Sequence, residues 1–165
     1  KEYIEEGIKS QLATFQATQR AIIDQTAEIS IKVDTLESET KNYAATYFEN
    51  EQLKKRLANI TKILSFKNLE PGWNGKGSES FSDKLLNIAM SFINLPNLKY
   101  QPSVFPTGRL SIQFEYEKSN GNYLEIEAFE DHFALYSEID NTPTEKENLS
   151  LQEILGDINA FHSRI

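Results

Sequence analysis

Apolar residues recur every seventh position over the first third of the chain, as Ile8, Phe15, Ile22, Ile29, Leu36 and Tyr43. Leu12, Gln19, Thr26, Val33, Thr40 and Tyr47 follow four residues after each. A period of this kind predicts one long helix whose seam faces a partner helix in a left-handed supercoil. With the first series at d and the second at a, Ile8, Leu12, Phe15, Ile22, Ile29, Val33, Leu36 and Tyr43 are the self-association residues. Isoleucine at d favours three or four copies over two, and the polar Gln19, Thr26 and Thr40 trade stability for register. After Tyr47 the pattern reads Leu53, Leu57, Ile60 and Leu64. That shift of three residues predicts a stammer or kink near Asn50, and a helical hairpin or a helix folded back on the rest of the chain would account for the same skip.

Beyond residue 65 the period changes. Ser82 caps a second helix with Asp83 in its first turn, Phe81 and Leu86 have the spacing of a hydrophobic staple, and Leu85, Leu86, Ala89, Phe92 and Ile93 form one apolar face ended by Asn94-Leu95-Pro96. Ser103 to Pro106 reads as an edge strand, because proline cannot donate to a central ladder. Leu110, Ile112, Phe114 and Tyr116 alternate with polar residues, and so do Leu124, Ile126 and Ala128. Matching these apolar faces selects the turn between them. A two-residue Asn120-Gly121 loop would set apolar against polar, whereas a three-residue loop with Gly121 in a left-handed bulge pairs Tyr116 with Leu124 and Phe114 with Ile126. A further strand, Phe133 to Ile139, follows the Asp131-His132 corner, and Asn141-Thr142-Pro143-Thr144 reads as a polar loop. Ser150 and Glu153 then form a capping box, with Leu149 and Ile154 as a staple and Leu151, Ile154, Leu155, Ile158 and Phe161 as an apolar stripe. The predicted fold is α+β: a coiled-coil oligomerisation helix over 1–65, then a helix, antiparallel meander and helix domain over 66–165 whose two helices cover the apolar sheet face.

Composition narrows the function classes. The chain has 165 residues, net charge −8 and no cysteine, which removes disulfides, zinc–thiolate sites and thiol catalysis. Residues 1–65 hold nine Lys/Arg against ten Asp/Glu, and residues 66–165 hold eight against fifteen, so the acidity lies in the globular part. That balance argues against tracking a phosphate backbone and makes basic proteins or cations the natural partners. No apolar run is long enough for a membrane span. The absence of an initiator methionine before Lys1 leaves a removed anchor or signal upstream open. The expected location is the cytoplasm, with any membrane tether supplied by such a segment.

Two constellations stand out. The bulged turn sets Glu115 directly opposite Glu125 on the outer sheet face, with Glu117, Glu127 and Glu138 nearby and Tyr123 and Tyr136 adding interface area. Like charges facing each other cost stability, so this face is a candidate for a basic protein or a hard cation, set against carboxylates that simply point into water. The second is the loop Gly72-Trp73-Asn74-Gly75-Lys76-Gly77, with three of the seven glycines and the single tryptophan. Its amides, Lys76 and the Trp73 ring could hold a small phosphorylated, nucleotide-like ligand, although it has neither P-loop nor dinucleotide spacing and follows a helix. The plainer reading is a structural loop with Trp73 plugging the core. Catalysis is not expected. Only His132 and His162 are present, no metal-ligand spacing occurs, no serine sits in a nucleophile elbow, and His162 reads as a residue favourable to a helix C-terminus. No cofactor is implied.

The run from Leu69 to Ser78, the helix from Ser82, the segment Pro102-Ser103-Val104-Phe105-Pro106-Thr107-Gly108 and the strand to Tyr116 resemble a widespread group of small uncharacterised bacterial proteins. These share a Gly-Trp-Asp/Asn-Gly segment, a helix, a Pro-x-x-x-Pro-Thr-x-Gly segment and a meander. The resemblance covers residues 66–140 and not the long helix. It implies a binding module from mobile or defence-related gene neighbourhoods and carries no catalytic residues over. The resulting expectation is a non-enzymatic homo-oligomeric module of a defence or toxin-neutralising system. Two alternatives stand beside it: a ligand-sensing part of a membrane-anchored or larger effector, and a stalk-and-head fibre or adhesin fragment.

Overall fold

The computed structural model describes the backbone of residues 2–164 and the side chains of 6, 7 and 9–164. Helix α1 spans Glu2–Ser65 and ends in a single 3-10 turn, Phe66–Asn68. Helix α2 (Asp83–Ile93) is followed by strands β1 (Ser103–Pro106), β2 (Ile112–Glu117), β3 (Tyr123–Ala128), β4 (Phe133–Ile139) and β5 (Thr142–Leu149), and by helix α3 (Leu151–Ser163). The strands form one antiparallel meander in the order β1-β2-β3-β4-β5. The chain divides into two compact units, residues 1–49 and 50–165. Among the described residues no helix is long and apolar enough to cross a membrane.

The helix passes through Asn50 without interruption, so the expected kink is not a break in hydrogen bonding and the hairpin alternative is absent. Leu57 and Leu64 explain why no skip is needed. They lie fourteen and twenty-one residues after Tyr43, in the same seven-residue series, and both remain exposed. The face of residues 50–65 that packs on the globular unit is a different one. Ile63 is buried, Asn59 Nδ2 donates to the Pro102 carbonyl at 2.9 Å, and Gln52 Oε1 accepts from the Gln101 amide at 2.7 Å. Part of this docking is polar, which hides it from a hydrophobic count.

Both later helices start where their side chains predict. Ser82 Oγ accepts from the Leu85 amide at 3.1 Å, and the Ser150/Glu153 capping box is complete. Helix α2 lies on β3, and α3 lies on β3 and β4, so the two cover the apolar sheet face. That face holds Val104, Ile112, Phe114, Tyr116, Leu124, Ile126, Ala128 and Leu135, all buried against Leu85, Ala89, Phe92, Ile154, Ile158 and Phe161. Phe92 and Phe114 meet at its centre with ring centroids 4.3 Å apart.

The β2–β3 turn has the expected bulge. Tyr116 pairs with Leu124 and Phe114 with Ile126, and Gly121 takes φ +85°. Leu110 departs from the alternation that assigned it to the strand. It sits at φ +60° in the turn closed by Thr107 N donating to the Ser111 carbonyl at 3.1 Å, and it is exposed. The expected loop at Asn141–Thr144 is instead the start of β5. Asp140 and Asn141, at φ +51° and +61°, make a two-residue turn between Ile139 and its partner Thr142, as a type I′ hairpin requires. Strand β5 exposes nearly every residue, so it has no apolar face to reveal it, and Pro143 is tolerated because the strand is an edge.

Candidate functional site

Strand alternation and register set the outer face of the sheet. Gln113, Glu115 and Glu117 project from β2 and Tyr123, Glu125 and Glu127 from β3. Ala134, Tyr136 and Glu138 follow from β4, and Pro143 and Glu145 from β5. Glu115 lies directly opposite Glu125, as the turn predicted. The clash is eased by neutral donors: Gln113 Nε2 donates to Glu115 Oε1 at 2.7 Å, and Tyr123 Oη donates to Glu125 Oε2 at 3.0 Å. The Tyr123 and Tyr136 rings lie 6.3 Å apart. Loss of solvation and the neighbouring carboxylates push both phenols above their usual range, so they remain neutral donors on an anionic surface.

Glu127 behaves differently from its expected role as an exposed partner-binding residue. It is 6% exposed and accepts from Arg109 Nη2 at 2.5 Å. Ser111 Oγ donates to its other oxygen, and Thr107 Oγ1 lies 2.5 Å from Ser111 Oγ. The carboxylate therefore ties the 107–111 turn to β3 and is already neutralised. Glu145 and Glu147, which the loop reading of residues 141–144 passed over, take its place. With Arg109, Glu125, Glu127, Ala134, Leu135 and Tyr136 they line a groove of about 280 Å³, floored where Ala134 is small. Among the described residues Glu115, Glu117, Glu125, Glu138, Glu145 and Glu147 form no ion pair, and the cation that lines the groove, Arg109, already binds Glu127. Among the described residues no group of three or more His, Cys, Asp or Glu side chains is arranged to hold a metal ion.

The glycine-rich loop directs its amides inward. Gly72 N donates to the Ser78 carbonyl at 2.6 Å, Trp73 N to Glu70 at 3.0 Å and Gly75 N to Gly72 at 2.8 Å. Asn74 Oδ1 accepts from the Lys76 and Ser78 amides at 2.9 and 3.4 Å. Asn74 also crowds Gly108, since a Cβ there would lie 2.3 Å from Asn74 Nδ2 and would displace that side chain. Trp73 is half-buried against Phe81, with centroids 6.0 Å apart. Gly75 and Gly77 take positive φ, and Lys76 is exposed. These bonds close the Gly-Trp-Asn-Gly loop on itself, and the close approach of Asn74 to Gly108 sets it beside the Pro106-Thr107-Gly108 turn.

Neither histidine belongs to these clusters. His132 Nδ1 lies 2.7 Å from Asp131 Oδ1, whose carboxyl this contact holds below its usual range, and the His132 ring stacks on Phe129. His162 stacks on Tyr100 at 3.8 Å and meets Tyr116 edge-on. Burial, assisted by the Lys118 charge, lowers its pKa to about 4. It is neutral near pH 7, which corrects the expectation of a cation favouring the α3 dipole. No family model, no curated protein and no solved structure matches this chain.

Proposed function

We propose that residues 50–165 are a non-enzymatic binding module whose outer sheet face docks a basic surface of a protein partner, and that α1 multiplies this contact by self-association. One observation carries the reading: six carboxylates share a face, and among the described residues none of them forms an ion pair with a lysine or arginine. A structure that leaves Glu115 and Glu125 facing each other accepts a small cost, and a cationic partner converts that cost into attraction and fast, salt-sensitive association. Tyr123 and Tyr136 supply rigid contact area and hydroxyl donors beside the charges. Joining several copies raises avidity without any new contact. The defence or toxin-neutralising setting rests on the family resemblance.

The test is a comparison of the intact chain with its E115K/E125K variant in capture from a host extract, followed by direct titration of any captured protein. The expected result is a basic partner held by the wild type, lost by the variant, and bound at least about tenfold more weakly when salt rises well above 0.1 M. A partner that binds both forms equally, with no salt dependence, overturns the acidic-face reading.

A further inference from the structure

The seam of α1 carries its own orientation. Leu12, Phe15, Ile22, Ile29, Val33, Leu36 and Tyr43 are between 47% and 77% exposed, so among the described residues this stripe is left uncovered. Between residues 12 and 43 its polar residues all occupy one of the two series: Gln19, Thr26 and Thr40 are at a, while d holds Phe15, Ile22, Ile29, Leu36 and Tyr43. Thr26 and Thr40 donate to the Ile22 and Leu36 carbonyls one turn back, at 2.8 and 2.7 Å, so they can enter an apolar interface with their hydroxyls satisfied. Gln19 has no such bond, and its amide has no hydrogen-bond partner among the described residues.

That leaves Gln19 to decide the geometry. In an antiparallel pair each a residue faces a d residue, which would press the Gln19 amide against phenylalanine, isoleucine, leucine or tyrosine and bury it without a full set of partners. In a parallel, in-register assembly a faces a, and each Gln19 amide can both donate to and accept from its counterpart. The flanking charges agree. Lys32 at g stands five residues before Glu37 at e, the pairing that crosses a parallel interface, and the other g-to-e combinations between Gln11 and Ala44 contain no like charges. We infer that residues 12–43 form a parallel, in-register interface between copies of this chain, with Gln19 as the layer that sets the register.

This deepens the self-association proposed above and rests on it, and one set of measurements separates the two. The chain has no cysteine, so single cysteines can be placed without background. Ile22→Cys and Leu36→Cys lie fourteen residues apart in the d series, and Ser38→Cys lies off the seam as a control. Parallel, in-register copies cross-link at both seam positions and not at the control. An antiparallel pair can bring only one such position to its two-fold axis. For a readout that leaves the seam intact, donor and acceptor dyes on Ser10→Cys in separately labelled copies give strong energy transfer if parallel. They lie about 50 Å apart if antiparallel about the middle of the seam. Cross-links at 22 and 36 with strong transfer support the proposal. An oligomeric mass with weak transfer, or with cross-linking at only one seam position, overturns the parallel register and leaves self-association standing. A monomeric mass for the unmodified chain overturns both, while the acidic-face titration is unaffected by any of these outcomes.

Discussion

Residues 1–49 and residues 50–165 treat apolar side chains in opposite ways. In the globular unit, Phe92, Phe114, Ile126 and Ile158 are essentially sealed from water, whereas in the helical unit Phe15, Ile22, Ile29 and Leu36 stand more than half exposed. The globular unit buries its apolar residues; among the described residues the helical unit leaves its stripe exposed, and a helix with an exposed apolar stripe gains most of its stability from packing against something else. The outer sheet face repeats this contrast on a smaller scale, with carboxylates that form no ion pair among the described residues above a core that is completed.

The sharpest way to break the comparison is to delete packing on each side. Phe114→Ala should lower the unfolding free energy of the globular unit by about 3–5 kcal/mol at every protein concentration, measured by denaturant titration. Leu36→Ala should leave that transition unchanged and shift only the mass distribution with dilution. If Leu36→Ala destabilises the globular unit as well, the two units are not independent.

Arg109→Ala probes the carboxylate that the sheet does satisfy. It leaves Glu127 buried with hydroxyl donors alone, and it should lower stability by about 1–3 kcal/mol, the smaller values reflecting the exposure of Arg109. An unchanged midpoint would mean that Ser111 and Thr107 hold Glu127 unaided.

His162 adds a pH term. Its folded pKa of about 4 lies below the ordinary 6.5, so between those values the unfolded chain binds the extra proton. Stability is therefore present above pH 6.5 and lost as pH falls towards 4. His162→Phe should flatten that part of the profile relative to wild type in thermal melts across the window, and parallel profiles would show that the stack does not exclude the proton.

The smallest expected effect has the most to say about the outer face. Glu115→Gln with Glu125→Gln should raise stability by about a few tenths of a kcal/mol, because it removes a facing like-charge pair already softened by Gln113 and Tyr123. A loss of stability would show that the pair is held by attraction not visible in the register.

Much of the globular fold was legible before any coordinates. The capping residues Ser82 and Ser150 act within one helical turn, and the register of β2 on β3 follows from a local choice: only one loop length sets apolar against apolar. The same reasoning placed Glu115 opposite Glu125. Strand β5 was not legible, because a strand exposed on both faces has no hydrophobic period, and Glu145 and Glu147 were lost with it. Glu127 has the same alternation as Glu125, yet its neutralisation depends on Arg109 being carried over it by the 107–111 turn.

Periodicity and turn chemistry thus determined the helices, the central strands and their pairing and the apolar stripe of α1, since each depends on side chains a few residues apart. Tertiary structure alone decided which polar residues are internal. Asn59 on Pro102, Gln52 on Gln101, Asn74 over Gly108 and His162 on Tyr100 are contacts between residues distant in sequence. A polar side chain carries no sign of whether water or a partner will satisfy it until the chain has closed around it.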